Sequence, residues 1–309
     1  MDEEQFTVLR PLLFSIAYEM TGSVADAEDI LSEAYLRLRR ARERGTEIVS
    51  LRNYLCTTVT RLSIDQLRSA RSRREVYVGP WLPEPLVGDD QRGGFERVEL
   101  SDSVSMAFLV LLESLTPVER AVFLLHDVFE FDYPQIAAIV ERTETNCRQV
   151  LRRARQHIED RRPRFEADPE QRDALADRFF AALSRGDLAP LIDRLAADVV
   201  AYGDGGGSRP SIPQPIVGRD NVLRMLTGMV RSAAGQGLRL ERAVVNGQPG
   251  ALIKTTDGRL LNVLCLDIAG GVITAIRSVI NPDKLGHLEP LVAWDDPLRG
   301  NGRRITPRS

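Results

Sequence analysis

The sequence predicts a multidomain protein with two all-α units, the second built around a helix-turn-helix, followed by an α+β unit. Three observations support this fold class. The first 163 residues repeat apolar side chains at helical spacing, residues 115–158 contain a turn followed by an arginine-faced helix, and residues after 168 alternate apolar and polar positions between glycine turns. A length of 309 residues also suggests two or three domains rather than one.

Charge is segregated along the N-terminal part of the chain, although the net charge of the whole chain is only −3. Residues 1–36 contain eight acids against one base, Arg10, whereas residues 37–74 contain eleven arginines against three acids. An acidic surface disfavours phosphate and suits a basic protein partner, while an arginine-rich surface suits a nucleic-acid backbone. The pattern predicts a unit that binds a protein with one face and DNA with another.

Three helices are predicted in this first unit, residues 1–74. The apolar side of the first helix is formed by Phe6, Leu9, Leu13, Ile16 and Ala17. The second helix starts near Asp26 and carries acids in its first turns, where the helix dipole favours them. The third helix runs from about Leu51 to Ser72 and leaves Arg61, Asp65 and Arg68 at the surface.

A helix-turn-helix is predicted within residues 103–163. Pro134 stands where a first helical turn tolerates proline, and Thr143 and Thr145 can cap the following helix. Arginines then recur on the side of that helix opposite its apolar residues, which is how a major groove is often read. A generic amphipathic helix with a solvated basic face is the alternative for this segment alone.

Three segments in this order and spacing carry a family resemblance: ADAEDILSEAYLRL, LRNYLCTTVTRLSIDQLRSARSRR and LTPVERAVFLLHDVFEFDYPQIAAIVERTETNCRQVLRRAR. Residues 1–163 resemble the extracytoplasmic-function (ECF) sigma factors, the two-domain promoter-specificity subunits of bacterial RNA polymerase. The resemblance implies that the first segment binds core polymerase through Asp26, Asp29, Glu33 and Leu36. It implies that the second segment opens and reads the minus-ten element through Tyr54, Arg61, Asp65 and Arg68. It implies that the third segment reads the minus-thirty-five element of promoter DNA through Thr145, Arg148, Gln149 and Arg152.

A linker rich in glycine and proline is predicted over residues 75–102. It contains the phrase WLPEP, in which two prolines within five residues hold an extended conformation at low entropic cost. Trp81 beside them is unusual in a mere spacer, because a large apolar side chain prefers burial. The linker is therefore either a rigid spacer or a clip that docks on another domain.

The α+β unit is predicted over residues 168–286, with a flexible tail at 287–309. Two helices are expected at its start, one marked by Leu175, Phe179, Phe180 and Leu183 and a second over Leu188–Leu195. Its last four strands alternate apolar and polar residues as an antiparallel sheet with one buried face does. The unit resembles the SnoaL-like, nuclear-transport-factor-like cone, in which helices cover a strongly curved sheet; DVVAYGDGGG is the best local match. That fold encloses a pocket that could hold a small-molecule ligand, but regulatory packing against the helical units is the preferred interpretation.

The motifs WLPEP, DGGG and NPDKL together resemble one group of ECF sigma factors, which carries a fused SnoaL-like C-terminal extension in place of a membrane-bound anti-sigma partner. In that group the extension contacts the sigma domains and sets their activity. The resemblance implies interdomain contacts at the following residues: Trp81, Pro83, Glu84, Asp204, Gly205, Gly206, Asn281, Pro282, Asp283, Lys284 and Leu285.

Two alternatives differ in class. A repressor or activator that binds only duplex DNA leaves the acidic helix and the second basic helix unexplained. A cyclase- or isomerase-like enzyme with a DNA-binding appendage needs an acid–base pair, and the C-terminal unit offers one histidine, His287, and scattered acids. No enzyme activity, cofactor or metal site is therefore expected.

The sequence also bears on localisation. The three cysteines are far apart, so no disulfide scaffold is suggested. No run of about 18 apolar residues suggests a membrane span, and the acidic N-terminus suggests no export, so a cytoplasmic protein is predicted.

Overall fold

The computed structural model describes residues 2–74, 77–88, 104–159, 168–209, 211–288 and 290–292. Seven α-helices form the N-terminal part of the described chain: α1 Asp2–Thr21, α2 Val24–Glu43, α3 Leu51–Arg74, α4 Met106–Leu112, α5 Pro117–Phe123, α6 Tyr133–Val140 and α7 Glu144–Glu159. The expected helices are thus present, and α4 is an addition that the sequence reading did not predict. The predicted segments 89–102, 160–163 and 293–309 lie outside the described residues.

One apolar core runs through both helical units. It joins side chains of α1, α2 and α3 to side chains of α5, α6 and α7 without a break. The amphipathic helices α1 and α3 bury residues such as Ile16 and Leu55 in this core. The helix α3 is therefore packed directly against the helix-turn-helix unit.

Local signals fix the ends of the short helices. Thr116 and Glu119 form a reciprocal capping box at the start of α5, and Asp132 and Gln135 form another at the start of α6. The helix α5 continues into a π-helical turn at Leu124–Val128. α6 ends in the turn to α7, where Glu141 adopts the left-handed conformation with φ 54°.

The C-terminal unit consists of two helices and a curved sheet. Its elements are α8 Pro169–Arg185, α9 Arg219–Ala233, β2 Leu195–Asp204, β3 Ile216–Val217, β4 Arg239–Val245, β5 Gln248–Lys254, β6 Leu260–Ala269 and β7 Val272–Val279, with β1 Val87–Gly88 contributed by the linker. The strand order is β1-β4-β5-β6-β7-β2-β3, antiparallel throughout except for the parallel pair β2–β7. The segment Leu188–Leu195, expected as a second helix, is a 3₁₀ turn at Ala189–Arg194 that leads into β2.

The expectation that one face of this sheet is buried is wrong for its central strand. Eight of the ten residues of β6 are buried, on both faces. The side chains of Leu264 and Leu266 pack under α8 and α9, whereas Val263 and Cys265 pack against Leu82 of the linker and other residues. The second face is buried because the linker and the start of α4 cover it, and the apolar run of β6 fits a strand covered on both sides.

Candidate functional site

The residues predicted to bind polymerase lie along α2. Asp29 and Leu36 are exposed, and Leu36 keeps 44% of its surface accessible. Glu33 accepts a hydrogen bond of 2.8 Å from Arg37, which holds the pKa of Glu33 below its usual value. Asp26 is half-buried and accepts a hydrogen bond of 2.6 Å from α3. The helix therefore presents an acidic surface with one exposed leucine, as a protein-binding face requires.

The N-terminus of α2 is held by Glu84 of the linker. One carboxylate oxygen of Glu84 accepts a hydrogen bond from the Ser23 hydroxyl at 2.7 Å. The other accepts from the backbone N–H groups of Val24 at 2.8 Å and Ala25 at 3.1 Å. These amides belong to the first turn, which has no partners inside the helix, and the helix dipole favours an anion there. Since Glu84 is buried, the linker is fixed to the start of α2.

The residues on α3 that are predicted to contact the minus-ten element are only partly accessible to solvent. Tyr54 is half-buried, and its hydroxyl donates to the backbone carbonyl of Arg37 at 3.4 Å. Asp65 and Arg68 are exposed and form a surface ion pair at 3.3 Å. Surface pairs of this kind contribute little to stability, so both side chains can turn to a new partner.

Arg61 contacts the helix-turn-helix unit. Its guanidinium donates to the carbonyl oxygens of Ala138 and Ile139, each at 2.9 Å, and lies 3.1 Å from the carboxylate of Glu141. These carbonyls close α6, where a cation is favoured by the helix dipole and by unpaired acceptors. In this arrangement Arg61 is occupied by α6 instead of facing an opened DNA strand.

The predicted minus-thirty-five residues share the outer side of α7. All four are exposed: Thr145, Arg148, Gln149 and Arg152. Thr143 caps the helix, since its hydroxyl accepts from the Asn146 N–H at 3.2 Å. Cys147 and Val150 are buried on the opposite side, so the helix is held by its apolar face and offers its polar face to solvent. This is the geometry of a recognition helix.

The junction between the linker and the C-terminal unit centres on Asp204, which is fully buried at the end of β2. Its carboxylate accepts hydrogen bonds from the Tyr77 hydroxyl, from the Leu82 N–H at 2.8 Å and from the Gly206 N–H at 3.1 Å. The ammonium of Lys284 lies 2.7 Å from the same carboxylate and also donates to the Leu82 carbonyl. A buried charge needs such a set of partners to offset its desolvation.

Aromatic rings close this junction. The ammonium of Lys284 lies 4.9 Å from the centroid of the Tyr77 ring and 4.3 Å from that of Trp81, within the range of cation–π attraction. Burial, followed by the hydrogen bond to Asp204, holds the pKa of Tyr77 above its ordinary value, so its hydroxyl remains a donor. Trp81 also packs on Gly22 between α1 and α2, where a Cβ would lie 2.7 Å from the indole.

The NPDKL segment supplies the rest of the junction. The Asn281 side chain donates to the Tyr77 hydroxyl at 3.0 Å, and its backbone N–H donates to the Asp204 carbonyl at 3.0 Å. Asp283 is exposed, and within the described chain its carboxylate has no hydrogen bond or ion pair. The neighbouring Lys284 makes the buried contact instead.

The remaining predicted interdomain residues are Pro83, Gly205, Gly206, Pro282 and Leu285. Pro83, Gly205 and Leu285 are buried, whereas Gly206 and Pro282 are half-buried. Leu285 shares an apolar cluster with Leu82. Gly206 has φ 59° and leaves no room for a Cβ beside Asn281, which explains a glycine there.

Asn246 is a junction residue that the sequence reading missed. It is fully buried in the turn between β4 and β5, with φ 51°. Its side chain donates to the Tyr18 hydroxyl at 2.7 Å and to the Val104 carbonyl at 2.8 Å, and it accepts from the Leu86 N–H at 3.0 Å. The Asn-Gly pair in VVNGQPG predicts a hairpin turn, but no local signal shows that this turn contacts α1, the linker and the segment before α4.

Comparison with known proteins places these elements in a family. Family models for sigma-70 region 2 and sigma-70 region 4 match residues 6–73 and 105–158. The ECF RNA polymerase sigma factor SigJ of Mycobacterium tuberculosis is 36% identical over 294 residues, covering 92% of this chain and 93% of the relative. The probable ECF RNA polymerase sigma factor SigI of the same species is 33% identical over 284 residues, covering 90% and 93%. The chain belongs to the ECF RNA polymerase sigma factors.

A solved structure supports the same assignment for the whole architecture of this sigma factor. The crystal structure of M. tuberculosis SigJ matches it with a TM-score of 0.71 at 31% identity, covering 92% of this chain and 98% of that chain. The match extends through the C-terminal α+β unit, which has the SnoaL-like fold predicted from the sequence. Region 2 corresponds to α1–α3 and region 4 to α4–α7, the two helical units predicted from charge and spacing.

The relatives also decide against the enzyme alternative, because they are transcription initiation factors. Among the residues that the structure describes, no group of three or more histidine, cysteine or acidic side chains could hold a metal ion. In the same part of the chain no helix is both long and apolar enough to span a membrane.

Proposed function

We propose that this ECF sigma factor directs bacterial core RNA polymerase to specific promoters in the cytoplasm and initiates transcription there, under restraint by its own C-terminal domain. The acidic outer side of α2 binds core polymerase. The arginine face of α7 reads the minus-thirty-five element, and α3 reads the opened minus-ten strand. The exposed polar face of α7 is the observation that carries the promoter assignment, because a recognition helix needs side chains free to reach base edges.

The C-terminal domain restrains the sigma units through its contacts with both of them. Asn246 ties its sheet to α1 and to the segment that precedes α4, so both sigma units are held to one turn. In this compact arrangement Arg61 is occupied by the carbonyl end of α6. We infer a resting state, in which α3 has to separate from α6 before Arg61 can face an opened strand.

Run-off transcription tests the promoter assignment. Core polymerase would be combined with the full-length protein on a promoter taken from upstream of its own gene. Arg152→Ala is expected to reduce transcription by removing a base contact, which is worth about 1–3 kcal/mol, while binding to core polymerase stays unchanged. Arg153→Ala is the matched control, since Arg153 is also exposed on α7 but lies on another side of it. Equal loss in both variants, or loss of polymerase binding in Arg152→Ala, would count against the assignment.

The restraint has its own test. Asn246→Gly removes the side chain that joins the domains and keeps the positive φ that glycine adopts easily. Run-off yield is expected to rise relative to wild type at equal amounts of assembled holoenzyme. Unchanged or lower yield would contradict a restraining role for this contact.

We also propose that the C-terminal domain can take a small-molecule ligand. It would have to bind between the sheet and the helices α8 and α9. The described residues in that space, among them Phe179, Leu226 and Leu266, pack as one apolar cluster. The apolar lining given by these described residues favours an apolar ligand that displaces part of the cluster.

A further inference from the structure

The π-helical turn at Leu124–Val128 brings two polar side chains to the recognition helix. Asp127 accepts two hydrogen bonds from Arg155 of α7, at 2.9 and 2.6 Å, and its other neighbour is His126, whose Nδ1 lies 2.7 Å away. A single π turn inside a helix re-aims the side chains around it and is frequently found at functional sites. Here the turn places Asp127 against α7, where its carboxylate pairs with Arg155.

Tyr133, the first residue of α6, is held between this turn and the recognition helix. Its ring centroid lies 4.8 Å from that of His126, and the guanidinium carbon of Arg148 lies 4.5 Å from the Tyr133 centroid. Glu144 adds one hydrogen bond of 2.9 Å to Arg148. Tyr133, Arg148 and Arg152 also line one groove on the outer surface of the helix-turn-helix.

The two central arginines of α7 therefore differ. Arg148 is held by a ring face and a carboxylate, whereas Arg152 makes no hydrogen bond or ion pair within the described residues. A guanidinium stacked on a ring keeps its N–H donors in its own plane, directed away from the ring. The contact with Tyr133 thus orders Arg148 without using its donors.

We propose that Tyr133 is a positioning residue that pre-orders Arg148 for its contact with a base in the major groove. This rests on the proposed function, in which Arg148 reads the minus-thirty-five element. Ordering a long side chain before binding lowers the entropic cost of the contact. The stack therefore sharpens discrimination at the base that Arg148 reads and leaves other positions of the promoter unchanged.

The test uses full-length protein with core polymerase on promoters that carry each of the four bases at each minus-thirty-five position. Competitive binding gives the discrimination ratio at each position. Tyr133→Leu is expected to reduce that ratio about 2- to 5-fold at the position affected by Arg148→Ala, the loss expected for an exposed cation–π contact. Tyr133→Phe keeps the ring and should behave as wild type. In an Arg148→Ala background, Tyr133→Leu should have no further effect.

Each of the following results would overturn the positioning role. Equal losses of the discrimination ratio in Tyr133→Phe and Tyr133→Leu would show that the hydroxyl, and not the ring, is responsible. A uniform loss at every promoter position would show that DNA binding is weakened in general. Additive losses in the double variant would show that Tyr133 acts independently of Arg148. If Arg148→Ala leaves every ratio unchanged, the proposed function of Arg148 fails as well. If Arg148→Ala lowers one ratio and Tyr133→Leu lowers none, only the Tyr133 proposal fails.

Discussion

Replacing Asp204 by asparagine removes one negative charge from the junction and changes the volume of the side chain very little. The wild-type carboxylate accepts from the Leu82 N–H and lies 2.7 Å from the ammonium of Lys284. Both side chains are buried, with 0% and 8% of their surface exposed. The substitution therefore removes the carboxylate charge that lies against the buried ammonium of Lys284.

The expected cost follows from these contacts. Removing one partner of a buried ion pair costs about 3–5 kcal/mol. The rings of Tyr77 and Trp81 still face Lys284 and keep part of its stabilisation, about 0.5–2 kcal/mol for cation–π contacts. We therefore expect a net loss of about 1–4.5 kcal/mol at the junction, compared with the roughly 5–15 kcal/mol that stabilises a typical domain.

Hydrogen exchange locates this loss, and urea unfolding measures it. The amides of residues 77–88 and those at the start of α2 should exchange faster in Asp204→Asn, because Glu84 and Leu82 belong to the same linker segment. Asp283→Asn is the matched control, since it removes the same charge from an exposed position of the adjacent motif.

Comparison with the Asp283→Asn control shows which result would refute the role of Asp204. If Asp204→Asn and Asp283→Asn show the same exchange and the same unfolding midpoint, the Asp204–Lys284 pair does not hold the junction. A loss of stability confined to residues 168–288, with unchanged exchange in the linker, would show that Asp204 stabilises its own domain only.

Three further predictions concern the sigma units. Glu84→Gln should speed exchange of the first amides of α2 and cost about 1 kcal/mol, the usual value of a helix cap, as measured by exchange and urea unfolding. Gly22→Ala should destabilise the protein by about 1–2 kcal/mol because φ is 68° there, and it should displace Trp81, which tryptophan fluorescence reports. Burial alone would raise the pKa of Asp127, but the hydrogen bonds from Arg155 and the adjacent histidine hold it below its usual value. Its contribution is therefore complete above the unfolded pKa of about 3.9 and is lost as the pH falls through the folded pKa. Asp127→Asn should lower the unfolding free energy at pH 7, and its difference from wild type should disappear in acid.

Local patterns were enough to predict most elements. The helical spacing of Phe6 to Ala17 predicted α1, and the proline and capping residues placed α6 and α7 within a few residues. The segment at Leu188–Leu195 was misjudged because its apolar residues fit a helix, whereas Pro190 and the following strand limit it to a 3₁₀ turn. Short strands such as β1 carry no pattern of their own, since pairing with β4 alone defines them.

The candidate site residues also fall into two groups, those that a local sequence pattern predicts and those that depend on packing between units. Exposed groups on one helix, such as Arg148 and Arg152, follow from periodicity, so the structure finds them together on α7. Asn246 and the contact of Arg61 with α6 depend on how separate units pack, and neither residue carries a local signal for that. The burial of Cys265 on the second face of the sheet has the same origin.

The linker residues Leu82 to Glu84 connect the C-terminal domain to α1 and α2 through hydrogen bonds on both sides. Leu82 uses its N–H and its carbonyl on Asp204 and Lys284 of the C-terminal domain. Two residues later, Glu84 donates its N–H to the Gly22 carbonyl and accepts from the Tyr18 hydroxyl, while its carboxylate caps α2. A flexible spacer would not transmit a change across this distance, because its backbone groups bond to water. Here Pro83 separates two residues whose polar groups are bound on opposite sides, so a shift of Asp204 has to move the cap of α2 or break these bonds. A movement at the end of β2 would then first displace the start of α2, the helix that we propose binds polymerase.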